Sequence, residues 1–185
     1  MNTKKVIIIH GWETDPSCNW FPWLKAELEK IGCEAIVPEM SNTNHPQMTE
    51  WLNYLDEVVG GINENTYFVG HSLGVITALR YLERQSFDTK VGGAVLVAGF
   101  PDVIGYPALD NFFVTPLDFG KVKNKAKKFV VIHSDNDQHV PLMCGDIFQD
   151  KLEAELIVIN NGGHLNDGDR SFGFPLVLEK LKEMF

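Results

Sequence analysis

The feature that most restricts how this chain can fold is an alternation of short β-branched runs with longer stretches of helical periodicity. Val6-Ile7-Ile8-Ile9 is apolar without a break, which suits a strand covered on both faces. Trp20 to Ile31 carries Trp20, Trp23, Leu24, Leu28 and Ile31 at helical spacing, and Gly32 follows where a helix-ending glycine belongs. Ala35-Ile36-Val37 reads as a short strand stopped by Pro38. Gln47 to Val59 repeats the helical period, and Gly60-Gly61 ends it. Thr66 to Val69 is a third strand and Ser72 to Arg84 a third helix. Ala94 to Ala98, Phe129 to His133 and Leu156 to Ile159 read as further strands, with helices near Leu142 to Leu152 and Pro175 to Met184. Six strands alternating with helices predict an α/β architecture with a mostly parallel, doubly wound sheet. Right-handed crossovers put helices on both of its faces.

The bulk composition agrees with that architecture. The length of 185 residues fits a single domain over residues 1–185, and 44% hydrophobic residues suffice for a core without staples. Lys and Arg number 16 against 25 Asp and Glu, a formal charge of −9 that repels phosphate backbones and argues against a nucleic-acid partner. The one basic run, Lys121 to Lys128, reads as a solvated loop or short helix. Cys18, Cys33 and Cys144 form neither a CxxC pair nor an even disulfide framework, so reduced thiols are expected. The apolar run near the N-terminus is too short for a signal-peptide core, and no stretch is long enough to span a bilayer. A cytoplasmic protein without a membrane partner is the expectation.

One stretch breaks the rhythm. Gly99 to Asn124 holds Pro101, Pro107 and Pro116 together with Phe100, Phe112, Phe113 and Phe119. It is too long and too aromatic for an ordinary connection, and long loops in compact domains tend to be functional. Its aromatics either line a substrate pocket or cover the core.

Gly70-His71-Ser72-Leu73-Gly74 matches G-x-S-x-G, between a strand and a helix. In that context the serine sits on a tight, strained turn, and side chains at the flanking positions would clash with neighbouring elements. The turn lifts the hydroxyl over the C-terminal edge of the sheet. There a helix N-terminus supplies unpaired N–H groups and a field that favours negative charge. A Gly-Ser cap on an ordinary helix is the plainer alternative.

A serine hydroxyl needs a base, and the base needs an orienting carboxylate. On an α/β-hydrolase scaffold these follow in the order Ser, acid, His. Ser134-Asp135-Asn136-Asp137 follows the fifth strand, and Asn161-Gly162-Gly163-His164 follows the sixth. Both loops leave the sheet edge where ligands bind in open α/β sheets. Asp135 and Asp137 compete for the acid's role. Among six histidines, His164 stands out because Gly162 and Gly163 free its loop to bend back. His10, His45, His71, His133 and His139 read by default as structural or solvent-facing. None has the helical i, i+4 spacing of a zinc motif, so no metal is expected. Two backbone N–H groups, Leu73 and Trp12, are expected to form an oxyanion hole. Gly11 lets the backbone approach a substrate, and Trp12 either walls the acyl pocket or simply packs.

With these residues identified, the chain resembles the small serine hydrolases of the retinoblastoma-binding protein 9 and YdeN-like family. The resemblance runs from His10-Gly11 through the Ser72 turn and the Phe112-Phe113 to Phe119 stretch to Gly163-His164. It implies a minimal α/β-hydrolase fold without two antiparallel starting strands and without a large cap. It maps the triad onto Ser72, Asp137 and His164. Asp137 is preferred over Asp135 because Asp-x-x-Val-Pro after this strand is the usual setting of the acid in such hydrolases. The implied activity is hydrolysis of small carboxylic esters with no cofactor, with Gly11, Phe100, Phe112, Phe113 and Phe119 as expected substrate contacts. The same triad would serve a thioesterase, amidase or peptidase. A non-catalytic interaction module on the same scaffold is the alternative of a different class.

Overall fold

The computed structural model describes residues 3–166 and 173–185. Its strands are β1 (Lys5–Ile9), β2 (Glu34–Ile36), β3 (Thr66–His71), β4 (Gly93–Val97), β5 (Phe129–Ser134) and β6 (Glu155–Ile159). They form one sheet in the order β2-β1-β3-β4-β5-β6, and every pairing is parallel. The helices are α1 (Phe21–Lys30), α2 (Met48–Val59), α3 (Leu73–Glu83), α4 (Phe119–Lys123), α5 (Met143–Leu152) and α6 (Pro175–Met184). Among the described residues no helix is long and apolar enough to cross a membrane.

The uninterrupted apolar strands are explained by a core on each side of the sheet. Ile7, Ile9, Phe68, Leu96 and Val131 face α2, α3 and α5, and pack with Trp51, Leu55, Ile76 and Phe148. The alternate residues Val6, Ile8, Val69, Val95, Val97, Val130 and Ile132 face α1 and α6, and pack with Trp20, Phe21, Leu24 and Leu181. A period of two along each strand thus serves two cores at once. Each fully buried aliphatic or aromatic side chain contributes about 1.5–3 kcal/mol of transfer free energy.

The Gly99 to Asn124 stretch is more regular than its composition suggests. It contains a 3-10 helix over Pro107–Phe113, followed by α4. The proline at the start of the 3-10 helix loses nothing there, because that N–H has no intrahelical partner. The basic run also differs from the solvated segment expected. Lys125 is buried, and its Nζ donates to the carbonyls of Gln85, Ser86 and Phe87 beyond α3. A cation meets the carbonyl-rich C-terminal end of a helix there, where the helix field favours it.

The sheet ends in β6, whose residues are half-buried and whose Val158 is exposed. Glu155, at its start, is paired with Lys128 and Lys180, each at 2.8 Å.

Three histidines gather at the C-terminal edge of the sheet: His10 just after β1, His71 at the end of β3 and His133 in β5. All three are buried. Each spends one ring nitrogen on a backbone carbonyl: His10 on Gly11, His71 on His164 and His133 on Val140. Met40 N–H donates to His10 Nε2 at 3.1 Å, which makes Nδ1 the protonated nitrogen of that ring. Burial lowers the affinity of all three rings for a second proton, and His71 is pushed down to about 3.

These buried rings predict an early acid sensitivity. Below about pH 6.5 the unfolded chain takes up protons that the folded chain refuses, so stability falls as pH falls. For His71 that loss continues toward pH 3. Urea unfolding should show a stability lower at pH 5.5 than at pH 7, by about 1 kcal/mol from His71 alone, with His10 and His133 adding in the same direction. A flat profile over that interval would contradict the burial described.

Candidate active site

Ser72 lies between β3 and α3 with φ +53° and ψ −120°, a region that non-glycine residues rarely occupy. Such a conformation costs about 1–3 kcal/mol and persists only where the surroundings enforce it. Two features enforce it here. Ser72 N–H donates to Val97 O on β4 at 2.9 Å. The chain also crosses itself closely on either side of the serine. A Cβ on Gly70 would lie 2.7 Å from the Gly74 carbonyl and from Val75 Cα. A Cβ on Gly74 would overlap the carbonyl oxygen of Ile9 in β1. Both glycines of the motif are therefore steric requirements of the turn.

The loop after β1 approaches the same point. A Cβ on Gly11 would come 3.1 Å from Ser72 Cβ. Among the described residues, no backbone partner engages the N–H of Leu73 or Trp12. Among the described residues no hydrogen-bond partner holds the Ser72 hydroxyl either, and Ser72 lines a cavity.

The loops after β5 and β6 build the second half of the site. His164 Nδ1 is 2.8 Å from Asp137 Oδ2. The other oxygen, Oδ1, accepts from His139 N–H at 2.8 Å and Val140 N–H at 2.9 Å. Burial alone would raise the Asp137 carboxyl. The bond from His164, its charge and the two amides outweigh that and hold it below the usual carboxylate value. A carboxylate on Nδ1 makes that nitrogen the donor in a neutral ring, which leaves Nε2 with the lone pair.

Three consecutive side chains, from the last residue of β5 onward, fix the His164 loop. Asp135 Oδ1 accepts from Asn161 N–H at 2.8 Å, Ser134 Oγ from Gly162 N–H at 2.9 Å, and Asn136 Oδ1 from Gly163 N–H at 2.8 Å. Gly163, with φ +58°, turns the chain into His164. The carbonyl of His164 then accepts from His71 Nε2 at 2.9 Å. Asp135, the other carboxylate considered for the acid, is thus an exposed latch between loops. His71, beside the serine, buttresses the His164 backbone.

Ser72 and His164 open onto one cavity of about 300 Å³. Gly11, Trp12 and Phe100 line it, as do Ile104, Tyr106, Leu109, His139 and Val140. Three of the expected substrate contacts lie elsewhere. Phe112 is fully buried against Trp51, with ring centroids 5.6 Å apart. Phe113 packs against Phe100 at 5.5 Å, and Phe119 faces Phe148 at 6.3 Å. The 3-10 helix turns Phe112 and Phe113 toward the core, α4 carries Phe119, and Leu109 faces the cavity instead. Ile104, Tyr106 and Leu109 come from the same Gly99 to Asn124 stretch and His139 and Val140 from the loop after β5, and residue type alone does not mark any of them as lining a cavity. Among the described residues no group of three or more His, Cys, Asp or Glu side chains is arranged to hold a metal ion.

The site and the sheet together have clear relatives. The family model described as serine hydrolase matches residues 6–183. YdeN of Bacillus subtilis (strain 168) is 35% identical over 184 residues, covering 99% of this chain and 97% of YdeN. Serine hydrolase RBBP9 of Rattus norvegicus is 25% identical over 169 residues, 89% of this chain and 88% of RBBP9. The crystal structure of the ydeN gene product superposes with a TM-score of 0.94 over 99% of both chains. Est1E from Butyrivibrio proteoclasticus shares the fold with a TM-score of 0.75 at 16% identity, over 98% of this chain and 86% of Est1E. With a match to nearly its whole length and a relative this similar, the chain belongs to the serine hydrolase family.

Proposed function

We propose that the chain hydrolyses small carboxylic esters through an acyl-enzyme, with Ser72 as nucleophile, His164 as general base and Asp137 as the orienting carboxylate. Ser72 Oγ attacks the ester carbonyl carbon while its proton passes to His164 Nε2. Asp137 stabilises the imidazolium so formed. The carbonyl oxygen becomes an oxyanion held by the N–H groups of Leu73 and Trp12, each such donor worth about 3 kcal/mol in the transition state. Collapse breaks the C–O bond, and the imidazolium returns its proton to the departing alcohol. Water then repeats the sequence on the acyl-serine and releases the acid.

The observation that carries this reading is the pairing of a fully used Asp137 carboxylate with His164 Nδ1 at 2.8 Å, on the cavity that holds the Ser72 turn. The serine hydroxyl and imidazole need not be hydrogen-bonded in the ligand-free state, because such contacts often tighten only with substrate. The substrate class follows from the walls. Among the described residues they carry no Lys or Arg, they include Glu13, and the chain's net charge is −9, so an uncharged ester suits them better than an anion. A volume of about 300 Å³ lies at the small end of ligand pockets. The scheme needs no cofactor, and a cytoplasmic setting fits three cysteines that form no disulfide.

A fluorophosphonate probe should label the wild-type protein and fail to label Ser72→Ala. Labelling of the variant at the wild-type rate would put the nucleophile elsewhere. With p-nitrophenyl acetate or butyrate, Asp137→Asn should lower kcat/KM by at least about a hundredfold, because the ring loses its tautomer and its countercharge. Asp135→Asn should stay within about threefold of wild type, since the amide oxygen still accepts from Asn161 N–H. The opposite ranking of the two aspartates would assign the acid to Asp135.

A further inference from the structure

Two side chains on the cavity wall are hydrogen-bonded to one another across two loops. Tyr106 OH lies 2.9 Å from His139 Nδ1. Tyr106 comes from the segment after β4, where its carbonyl accepts from Leu109 N–H and its ring rests against Trp12 at 5.4 Å. His139 comes from the loop after β5, and its N–H donates to the same Asp137 carboxylate that holds His164. Its ring stands edge-on to His164 with centroids 5.1 Å apart. Trp12, Tyr106, His139 and His164 therefore form a continuous rim from the oxyanion side of the cavity to the candidate base.

We infer that the Tyr106–His139 bond is a strap that limits the length of the chain the cavity accepts, which makes these two residues determinants of selectivity for short, uncharged acyl groups. The inference rests on the proposed ester-hydrolase reading for its substrate, but the strap itself is a matter of shape. The apolar walls of the same cavity are Phe100, Ile104, Leu109 and Val140. These give an apolar chamber that rewards each added methylene until the strap is reached. Beyond that, a longer chain must break the Tyr106–His139 bond or separate the Trp12 and Tyr106 rings. Both partners reach solvent, so the bond is a selective barrier and not an absolute one.

The test uses p-nitrophenyl esters from acetate to decanoate and the variants Tyr106→Phe, His139→Gln and the double variant. Tyr106→Phe keeps the ring and deletes only the hydroxyl, so folding is conserved and can be checked by thermal unfolding. Expected is a rise of about tenfold or more in the decanoate-to-acetate ratio of kcat/KM for each single variant, seen mainly in KM. The double variant should shift the ratio no further than the larger single effect, because both changes remove one bond. An unchanged ratio, or single effects that multiply, would overturn the strap. The same ratio is read without chemistry as calorimetric Kd values of butanamide and decanamide in a Ser72→Ala background. A shift there on adding Tyr106→Phe sustains the strap even if Ser72 is not the nucleophile, and no shift refutes it whatever the esterase assay gives.

Discussion

The close crossing of α3 over the end of β1 is the constraint on which the site depends. The helix is set against the sheet with no room for a β-carbon on Gly74, because the carbonyl of Ile9 occupies that space. Such proximity forces the chain to leave β3 abruptly and holds Ser72 at φ +53°. The unfavourable backbone is offset by the fully buried contacts of α3, whose residues from Leu73 to Leu82 are all enclosed. Local strain at a single residue is thus maintained by the packing of a whole helix.

The other half of the site is organised by hydrogen bonds instead of close packing. The loops after β5 and β6 add Val140 and Leu165 to the two cores, and their described backbone is held chiefly by hydrogen bonds. Ser134, Asp135 and Asn136 accept from three successive amides of the facing loop, and His71 and His133 each tie down a backbone carbonyl from beneath. Burial keeps those two histidines neutral, so their bonds bring no competing positive charge close to His164. Among the described residues the Asp137 carboxylate is the charged group paired with that imidazole, the electrostatic setting that suits a general base.

Much of this was legible in the residues themselves. Continuous apolar runs such as Val6 to Ile9 announced strands covered on both faces, and the sheet has a core on each side. Glycine spacing around Ser72 announced a crowded turn. What escaped were relations that depend on the direction of a side chain in an irregular segment. Four phenylalanines between Gly99 and Asn124 look alike in sequence, yet the 3-10 helix sends Phe112 to the core while Phe100 reaches the cavity. Lys125 belongs to a basic run and still ends enclosed, because its partners are carbonyls at the end of α3, forty residues back in the chain and without any charge to betray them. Asp135 and Asp137 are separated only by how the turn orients them, and residue type carries no trace of that.

The exposed rim of the sheet has its own consequence. The sheet is open at both ends, so among the described residues β6 offers unpaired peptide groups along one flank, with Val158 exposed beside them. Glu155 and its two lysine partners stand at the entrance to that flank. An incoming strand from another molecule would have to strip water from this charged cluster before it made its first peptide bond contact. The ion pairs, worth little to the monomer's own stability on a wet surface, therefore act as a guard against self-association.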